Sequence, residues 1–399
     1  MKRGENMSTA SKIQPQIKHP ILPQTNHDEF SRQEFVRSYK EYLVQNVHQG
    51  NEKRYETKVK PAFEKKHDRA PKDRFEVAKE MMKDPYYQMF SSLLRTSQEM
   101  MWSSCQLPVE RNLEELNTKV NSVTDGPVQG SLKLDANLTI PRYHRAVDIH
   151  CQPGGYHNEF SENDASSGLV YDRAVHIYAM AQLGPYNDDI GASTVMWLKE
   201  KHPDFKPKRI LDMGCSVGHS TIPYAEAFPD AKIYGIDVAA PMLRYAHARA
   251  ESLNVSINFS QQNAENTNFK SGSFDLIVSH ILLHETSQKA IKNIIKECHR
   301  LLKPGGMMAH GETPPYKTMG PFDAFMLDWD TKNNNEPFWA RSHEIDLHQL
   351  SKKAGFDPTL KIEEMIPSAL QVAEARRSEV FQGGDFGGGG LWFLYGNKK

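Results

Sequence analysis

Apolar residues recur at helical spacing between about residues 28 and 121, with Phe30, Phe35, Tyr39 and Leu43 setting the period amid many charges. The pattern predicts a helical region with Pro61, Pro71, Pro85 and Pro108 as stops. Residues 1–28 before it are polar, carry Pro15, Pro20 and Pro23 and show no periodic apolar face, so a flexible tail is expected. Two more helices are predicted over 168–183, "GLVYDRAVHIYAMAQL", and 191–202, "GASTVMWLKEKH", separated by Gly184 and Pro185. The rhythm then changes. Short β-branched or apolar runs, "RILDMG", "AKIYGID", "VSINFSQQ", "FDLIVSH" and "MMAHGE", alternate with helical patterns, and "TLKIEEM" and "LWFLYG" read as closing strands. Such alternation implies βαβ units and a parallel sheet, with ligands beyond the carboxyl ends of its strands.

At 399 residues the chain is long for one domain of the usual ~150 residues. The change of rhythm divides it into a tail (1–28), a mainly helical region (29–185) and an α/β domain (186–399). A formal net charge of −1 gives no footprint for neutralising many phosphates, so nucleic acid is not an expected partner. The basic stretch "EKRYETKVKPAFEKKHDRAPKDR" is interspersed with acids and reads as a solvated helical face. Cys105, Cys151, Cys215 and Cys298 are scattered with no CxxC pair, which argues against a disulfide framework or structural zinc and fits a reducing compartment, the cytosol by default. No signal-type apolar segment or run of eighteen apolar residues is present, so neither secretion nor membrane spanning is expected. The stripe "MKDPYYQMFSSLLRTSQEMMWSS" suits core packing, or a surface that holds a flexible small molecule. The turn-rich "CQPGGYHNEF", just after His150, carries Tyr156 and His157 where polar aromatic groups can face a pocket or the solvent.

Chemistry concentrates at "ILDMGCSVGHST", residues 210–221, where an apolar strand breaks into Gly214, Cys215, Ser216 and Gly218. Glycine admits positive φ and brings backbone N–H groups close to a ligand, and a helix N-terminus following it favours negative or polar groups. The dinucleotide fingerprint G-x-G-x-x-G is not met, because Ser216 takes the middle position and His219 follows Gly218. Asp237 ends the next strand, where a carboxylate can accept from two ribose hydroxyls or cap the helix "APMLRYAHARA", or do both.

With "QQNAENTNFKSGSFDLIVSH" and "LLKPGG" following in order, residues 185–312 resemble the class I S-adenosylmethionine-dependent methyltransferases of the ubiquinone-biosynthesis-like (type 11) branch. The resemblance implies a Rossmann-like, doubly wound, seven-stranded sheet, here with a largely helical N-terminal cap that selects the acceptor. It implies S-adenosyl-L-methionine as cofactor, with Asp212, Gly214, Cys215, Ser216 and Gly218 around its methionine part. It further implies Asp237 and Val238 at the ribose, Asn263, Ala264 and Glu265 at the adenine, and the backbone of Ser279 and His280 over the amino group. Asn263 stands where the family has aspartate, and an amide oxygen can still accept one bond. Ser216 stands where glycine is commoner, and a small residue fits the same turn.

Methyl transfer from a sulfonium needs mainly alignment and exclusion of water, and a base only if the acceptor carries a proton. "SHILLHE" supplies His280, His284 and Glu285 at the substrate end of the sheet, and "HGE" adds His310 and Glu312. Acid–base or acceptor contact is one reading of these positions, structural hydrogen bonding another. Metal ligation by His280 and His284 is set aside, because His280 falls on a strand exit where i, i+4 helical spacing does not hold. "TPPYK" reads as a proline turn, and "GDFG" before Gly387–Gly390 as a flexible turn. The aromatic stretch within 313–342 reads as a lid or binding loop. The expectation is therefore a methyltransferase acting on a small molecule, on oxygen first and on sulfur or nitrogen next. A protein or RNA methyltransferase that docks through the N-terminal region, and a non-catalytic cofactor-binding protein, are the alternatives.

Overall fold

The computed structural model describes residues 15–375 and 391–399; the turn expected at "GDFG" lies outside them. One eight-stranded sheet runs through the molecule: β1 (Ser131–Lys133), β2 (Arg209–Met213), β3 (Lys232–Asp237), β4 (Asn258–Gln261), β5 (Phe274–His280), β6 (Leu302–Glu312), β7 (Lys361–Pro367) and β8 (Leu391–Lys398). Its order is β1-β4-β3-β2-β5-β6-β8-β7. Pairs among β1 to β6 are parallel, whereas β8 runs antiparallel to both β6 and β7. The chain winds outward from β2 through β3 and β4, then returns to β5 on the other side. The carboxyl ends of β2 and β5 therefore flank the switch point where such sheets hold ligands.

Seven strands were expected, and the eighth comes from the N-terminal region. β1 is three residues long, too short for an apolar alternation to register, and it pairs Ser131 with Asn258 at the sheet edge. The sheet's two faces are covered as a doubly wound fold requires. Helices Asp189–Lys201 and Ala240–Ser252 pack on one face through Ile190, Trp197, Leu243 and Ala246, against Ile210, Ile233 and Val278. Helix Gln288–Leu301 covers the other with Ile291, Ile294, Ile295 and Cys298 at helical spacing, its start capped by Ser287.

The N-terminal region is helical as its periodicity predicts, but three of its prolines are not stops. Pro85 opens the helix Pro85–Arg111, whose Asp84 cap accepts from the Tyr86 N–H, and Pro108 sits inside its last turns. Pro61 lies in the first turn of Lys60–His67, directly after a widened π turn at Tyr55–Val59 that accommodates its missing amide. The polar segment expected to be flexible through residue 28 is packed from residue 15 onward in the described part. Ile21 is fully buried, and Gln16 and His19 reach Asp172 at 2.9 and 3.0 Å. Polar residues here are buried through hydrogen bonds to a carboxylate, which an apolar periodicity does not reveal.

The aromatic stretch in 313–342 folds into short helices that pack on the N-terminal region. Phe325, Met326 and Trp329 join Leu43, Tyr55 and Phe90 in one cluster. This packing sets residues 334–339 beneath the loop that carries His150.

Candidate active site

The loop after β2 is shaped by three residues in the left-handed region, Gly214 (φ 73°), Ser216 (φ 48°) and Gly218 (φ 79°). The N–H groups of Gly214 and Cys215 donate to the Ile236 carbonyl at 2.8 and 3.0 Å, tying the loop to β3. A Cβ on Gly214 would stand 2.6 Å from Leu282 Cδ1, so that side chain would have to shift, and the positive φ favours glycine independently. Ser216 takes without glycine the conformation that glycine commonly supplies there, at a cost of roughly 1–2 kcal/mol. Its N–H donates to Asp237 Oδ2 at 3.0 Å, while the Ala239 N–H donates to Oδ1 at 2.9 Å. Burial outweighs these bonds and pushes the Asp237 carboxyl up to about 6.

A cavity of about 210 Å³ lies over the carboxyl ends of β2, β3 and β5. Asp212, Gly214, Cys215, Ser216, Asp237, Val238, Asn263 and Ala264 line one end of it, all anticipated from the motifs. Gly218 shapes the loop without lining the cavity. Asp212 is buried, accepts from Thr221 Oγ1 at 2.6 Å through Oδ2, and leaves Oδ1 with no hydrogen-bond partner. An unpartnered carboxylate oxygen, a bare glycine backbone and a second carboxylate beyond them fit a ligand with an ammonium tail and a vicinal diol. That chemistry is the amino-acid tail and ribose of S-adenosylmethionine. Two expected contacts besides Gly218 fall outside the lining. Glu265 turns away to accept from Tyr143 and Asn293 at 3.1 and 2.7 Å, and of Ser279, expected to act through its backbone, the hydroxyl is engaged with His310 Nδ1 at 2.7 Å. Asn263 Oδ1 already accepts from the Glu265 N–H at 2.9 Å, leaving one lone pair.

The other end of the cavity is built from three parts of the chain. His284 and Glu285, on the turn Leu283–Glu285, face His150, Tyr156 and His144 from the N-terminal region and Trp339 from the aromatic stretch. His284 Nδ1 lies 2.7 Å from Glu312 Oε2, and Glu312 Oε1 accepts from the Leu283 N–H at 2.7 Å, so this carboxylate orients the turn as well as the ring. Glu285 accepts from the Tyr156 hydroxyl at 3.3 Å and lies 3.1 Å from His150 Nε2. Burial is the largest influence and would raise its carboxyl, but His150, His284 and His144 together outweigh it and hold the group below the usual range. Glu336 sits behind, 3.0 Å from His150 Nδ1. Burial, with Asp330 and Glu285 near it, pushes its carboxyl well up.

His150 and Cys151 both hold positive φ, 52° and 64°. The strain is fixed by Gln98 Nε2 and Trp102 Nε1, which donate to the His150 carbonyl at 3.0 and 2.6 Å. Of the polar aromatic residues noted in that loop, His150 and Tyr156 line the cavity and His157 does not. His144 and Tyr171 also line it, and nothing in their local sequence marks them, whereas Trp339 lines it from the aromatic stretch read as a lid or binding loop.

His280 lines the middle of the cavity, its Nε2 3.0 Å from the Tyr224 hydroxyl and its Nδ1 3.5 Å from Asp212 Oδ1. It ends β5 while His284 lies on the following turn, so the two share no helix face. His310, like Glu312, does not line the cavity. It is fully buried between Ser279, Cys298 and the Tyr395 ring, and burial, reinforced by nearby His280, pushes it down to about 3. A position on a buried sheet face, rather than at the strand's end, gives it a structural role.

Residues 210–306 match the family described as a methyltransferase domain. The chain is 32% identical over 109 residues to a demethylmenaquinone methyltransferase of Thermus thermophilus, a match covering 27% of this chain and 49% of that protein. It is 31% identical over 153 residues to a ubiquinone biosynthesis O-methyltransferase of Pseudomonas aeruginosa, covering 38% of this chain and 61% of that one. The chain thus spans about half to three-fifths of the length of these relatives. A solved phosphoethanolamine N-methyltransferase 2 of Haemonchus contortus, bound to S-adenosyl-L-methionine, aligns at 16% identity over 56% of each chain with a TM-score of 0.39.

Proposed function

We propose that this chain, whose residues 210–306 form a class I methyltransferase domain, methylates a small molecule held between its sheet and its N-terminal helices, preferentially on oxygen. The observation that carries this reading is the continuity of one cavity. Asp212, Gly214 and Asp237 line one end, and His150, His284 and Glu285 line the other. S-adenosyl-L-methionine, when bound, supplies a methyl group made electrophilic by its sulfonium. Asp212 and the glycine loop would hold its methionine part, Asp237 its ribose, and Asn263 with Ala264 the adenine.

The chain's own work is then alignment and exclusion of water. Alignment alone is worth ~7–11 kcal/mol where reacting groups are well oriented. Tyr143, Tyr156, Tyr171 and Trp339 wall the cavity against solvent. The N-terminal region acts as the acceptor-selecting cap and the stretch 313–342 as its lid, a reading supported by the presence of His150, Tyr156 and Trp339 in the lining. His284 gives its Nδ1–H to Glu312, which leaves Nε2 as a lone pair at the acceptor end. An acceptor hydroxyl facing that lone pair can lose its proton as the methyl group arrives.

Oxygen is preferred because a proton-accepting group is present, and the relative named as an O-methyltransferase agrees with it. Nitrogen is the second reading, supported by an Arabidopsis thaliana phosphoethanolamine N-methyltransferase 1 that is 32% identical over 105 residues. Among the described residues no helix is long and apolar enough to cross a membrane, and the cysteines are unpaired. Both facts support a place in the cytosol. The test is incubation of cell extract with the protein and methyl-labelled cofactor, followed by mass spectrometry. Label in a small oxygen-bearing metabolite is expected, whereas label confined to protein or RNA would overturn the reading.

A further inference from the structure

We infer that His150, His284 and Glu285 form a binding site for one divalent transition-metal ion at the acceptor end of the cavity. Their ligand atoms all lie within 4.8 Å of one another, and a tetrahedral ion held at about 2.0–2.2 Å from each would draw them to roughly 3.3–3.6 Å. No spacing motif announces the set, because His150 precedes His284 by more than a hundred residues.

The second layer of contacts points the same way. His284 Nδ1 is 2.7 Å from Glu312 Oε2, and His150 Nδ1 is 3.0 Å from Glu336 Oε1 and 2.8 Å from Asn334 Nδ2. The Glu312 carboxylate accepts the Nδ1–H of His284, which leaves the His284 Nε2 as a lone pair, while His150 turns its Nε2 to Glu285 and its Nδ1 to Glu336 and Asn334. Carboxylate-to-histidine contacts of this kind orient metal ligands in general. His284 Nε2 and Glu336 Oε2 have no hydrogen-bond partner and face each other at 3.9 Å, both side chains 1% exposed. A buried imidazole lone pair without a partner is costly unless a cation or a donor lies near it.

Charge completes the argument. Among the described residues, Glu285, Glu312 and Glu336 make no ion pair with lysine or arginine; their ionic partners are His150 and His284. A dication supplies what that pocket lacks. Two imidazoles and one carboxylate suit zinc or ferrous iron rather than magnesium or calcium, and a three-residue set leaves positions open toward the cavity.

This inference does not depend on methyl transfer: in the metal-loaded chain the His284 Nε2 lone pair is taken by the ion, and in the metal-free chain it is open to an acceptor proton. The full chain, stripped by a chelator and dialysed, is titrated with Co²⁺, and S-adenosyl-L-methionine binding is measured by calorimetry on the same sample. One equivalent of Co²⁺ with a visible ligand-field spectrum, displaced by Zn²⁺, is expected. His284→Ala and Glu285→Gln should weaken Co²⁺ binding at least tenfold, and Glu312→Gln by about 10–100-fold, while each variant still binds the cofactor. A wild-type chain that binds no stoichiometric Co²⁺, or variants with unchanged Co²⁺ affinity, would overturn the inference even if a variant's fold were in question. Absent cofactor binding with Co²⁺ bound would instead count against the methyltransferase reading alone.

Discussion

His219 Nε2 lies 2.7 Å from Asp172 Oδ1, joining the end of the glycine loop to a carboxylate in the helix Ser166–Tyr178. Asp172 is fully buried and also meets Tyr245 at 2.6 Å, His19 at 3.0 Å and Arg249 at 3.4 Å. Burial by itself would raise its carboxyl, but Arg249 and His219 outweigh it and hold it well below the usual range. The residue that breaks the dinucleotide fingerprint thus fastens the cofactor loop to the N-terminal region.

Asp172→Asn leaves Arg249 buried without its charge, and such losses cost ~3–5 kcal/mol. Denaturant unfolding at pH 7 should show a fall of that size. The sign with pH follows from the depressed carboxyl: its contribution is fully present above the unfolded value of about 4, begins to fall below it and is lost as pH falls through the lower folded value. The gap between wild type and variant should therefore narrow at pH 3, and an equal gap at both pH values would contradict the role given to Asp172.

What the sequence revealed and what it hid divide along one physical line. The glycine loop, Asp237 and Asn263 were legible because each follows directly from a strand end, and strand periodicity is local. His150 and Tyr156 were noticed only as polar aromatic residues in a turn, and Glu336 not at all. Their use depends on packing of the stretch 313–342 against the N-terminal helices, which no local pattern encodes. His310 misleads for the same reason. It reads as an end-of-strand residue, yet its ring is enclosed by Ser279, Cys298 and Tyr395 from neighbouring elements. The packed segment from residue 15 was illegible because hydrogen bonds to Asp172, more than apolar spacing, bury it.

Asp237 offers a test of the cofactor end. Its carboxyl, pushed up to about 6 by burial, accepts ribose hydroxyls best when ionised, so binding should expel a proton near that pH. Cofactor affinity measured by calorimetry should fall as pH drops from 7 to 5. Asp237→Ala should abolish tight binding while leaving the fold intact, and affinity unchanged from wild type would refute the ribose assignment.

Buried histidines should make the fold acid-labile well above the carboxylate range. Burial pushes His176 and His310 down to about 4 and about 3, from roughly 6.5 in the unfolded chain. A base depressed on folding stabilises above the unfolded value, and that stability is lost as pH falls through the folded one. The thermal midpoint should decline between pH 6.5 and 4, and the His310→Asn variant should decline less steeply. Parallel slopes for the two proteins would show that His310 does not contribute.

The same His310→Asn variant, set beside His284→Ala, separates structural from acceptor-facing histidines. His284 lines the cavity with its Nε2 unpartnered, whereas His310 lies outside it with Nδ1 bonded to Ser279. Removing a positioned acid–base group typically costs 10²–10⁴-fold in turnover, so His284→Ala should lower kcat by about that range with cofactor affinity within a few-fold of wild type. His310→Asn should keep kcat per folded molecule and lose stability instead, roughly 1–3 kcal/mol for a disturbed buried hydrogen bond. Turnover measured with saturating labelled cofactor, beside thermal unfolding of both variants, reads the two effects separately. Wild-type kcat in His284→Ala would return that histidine to a structural role and leave the acceptor end of the cavity without its proton acceptor.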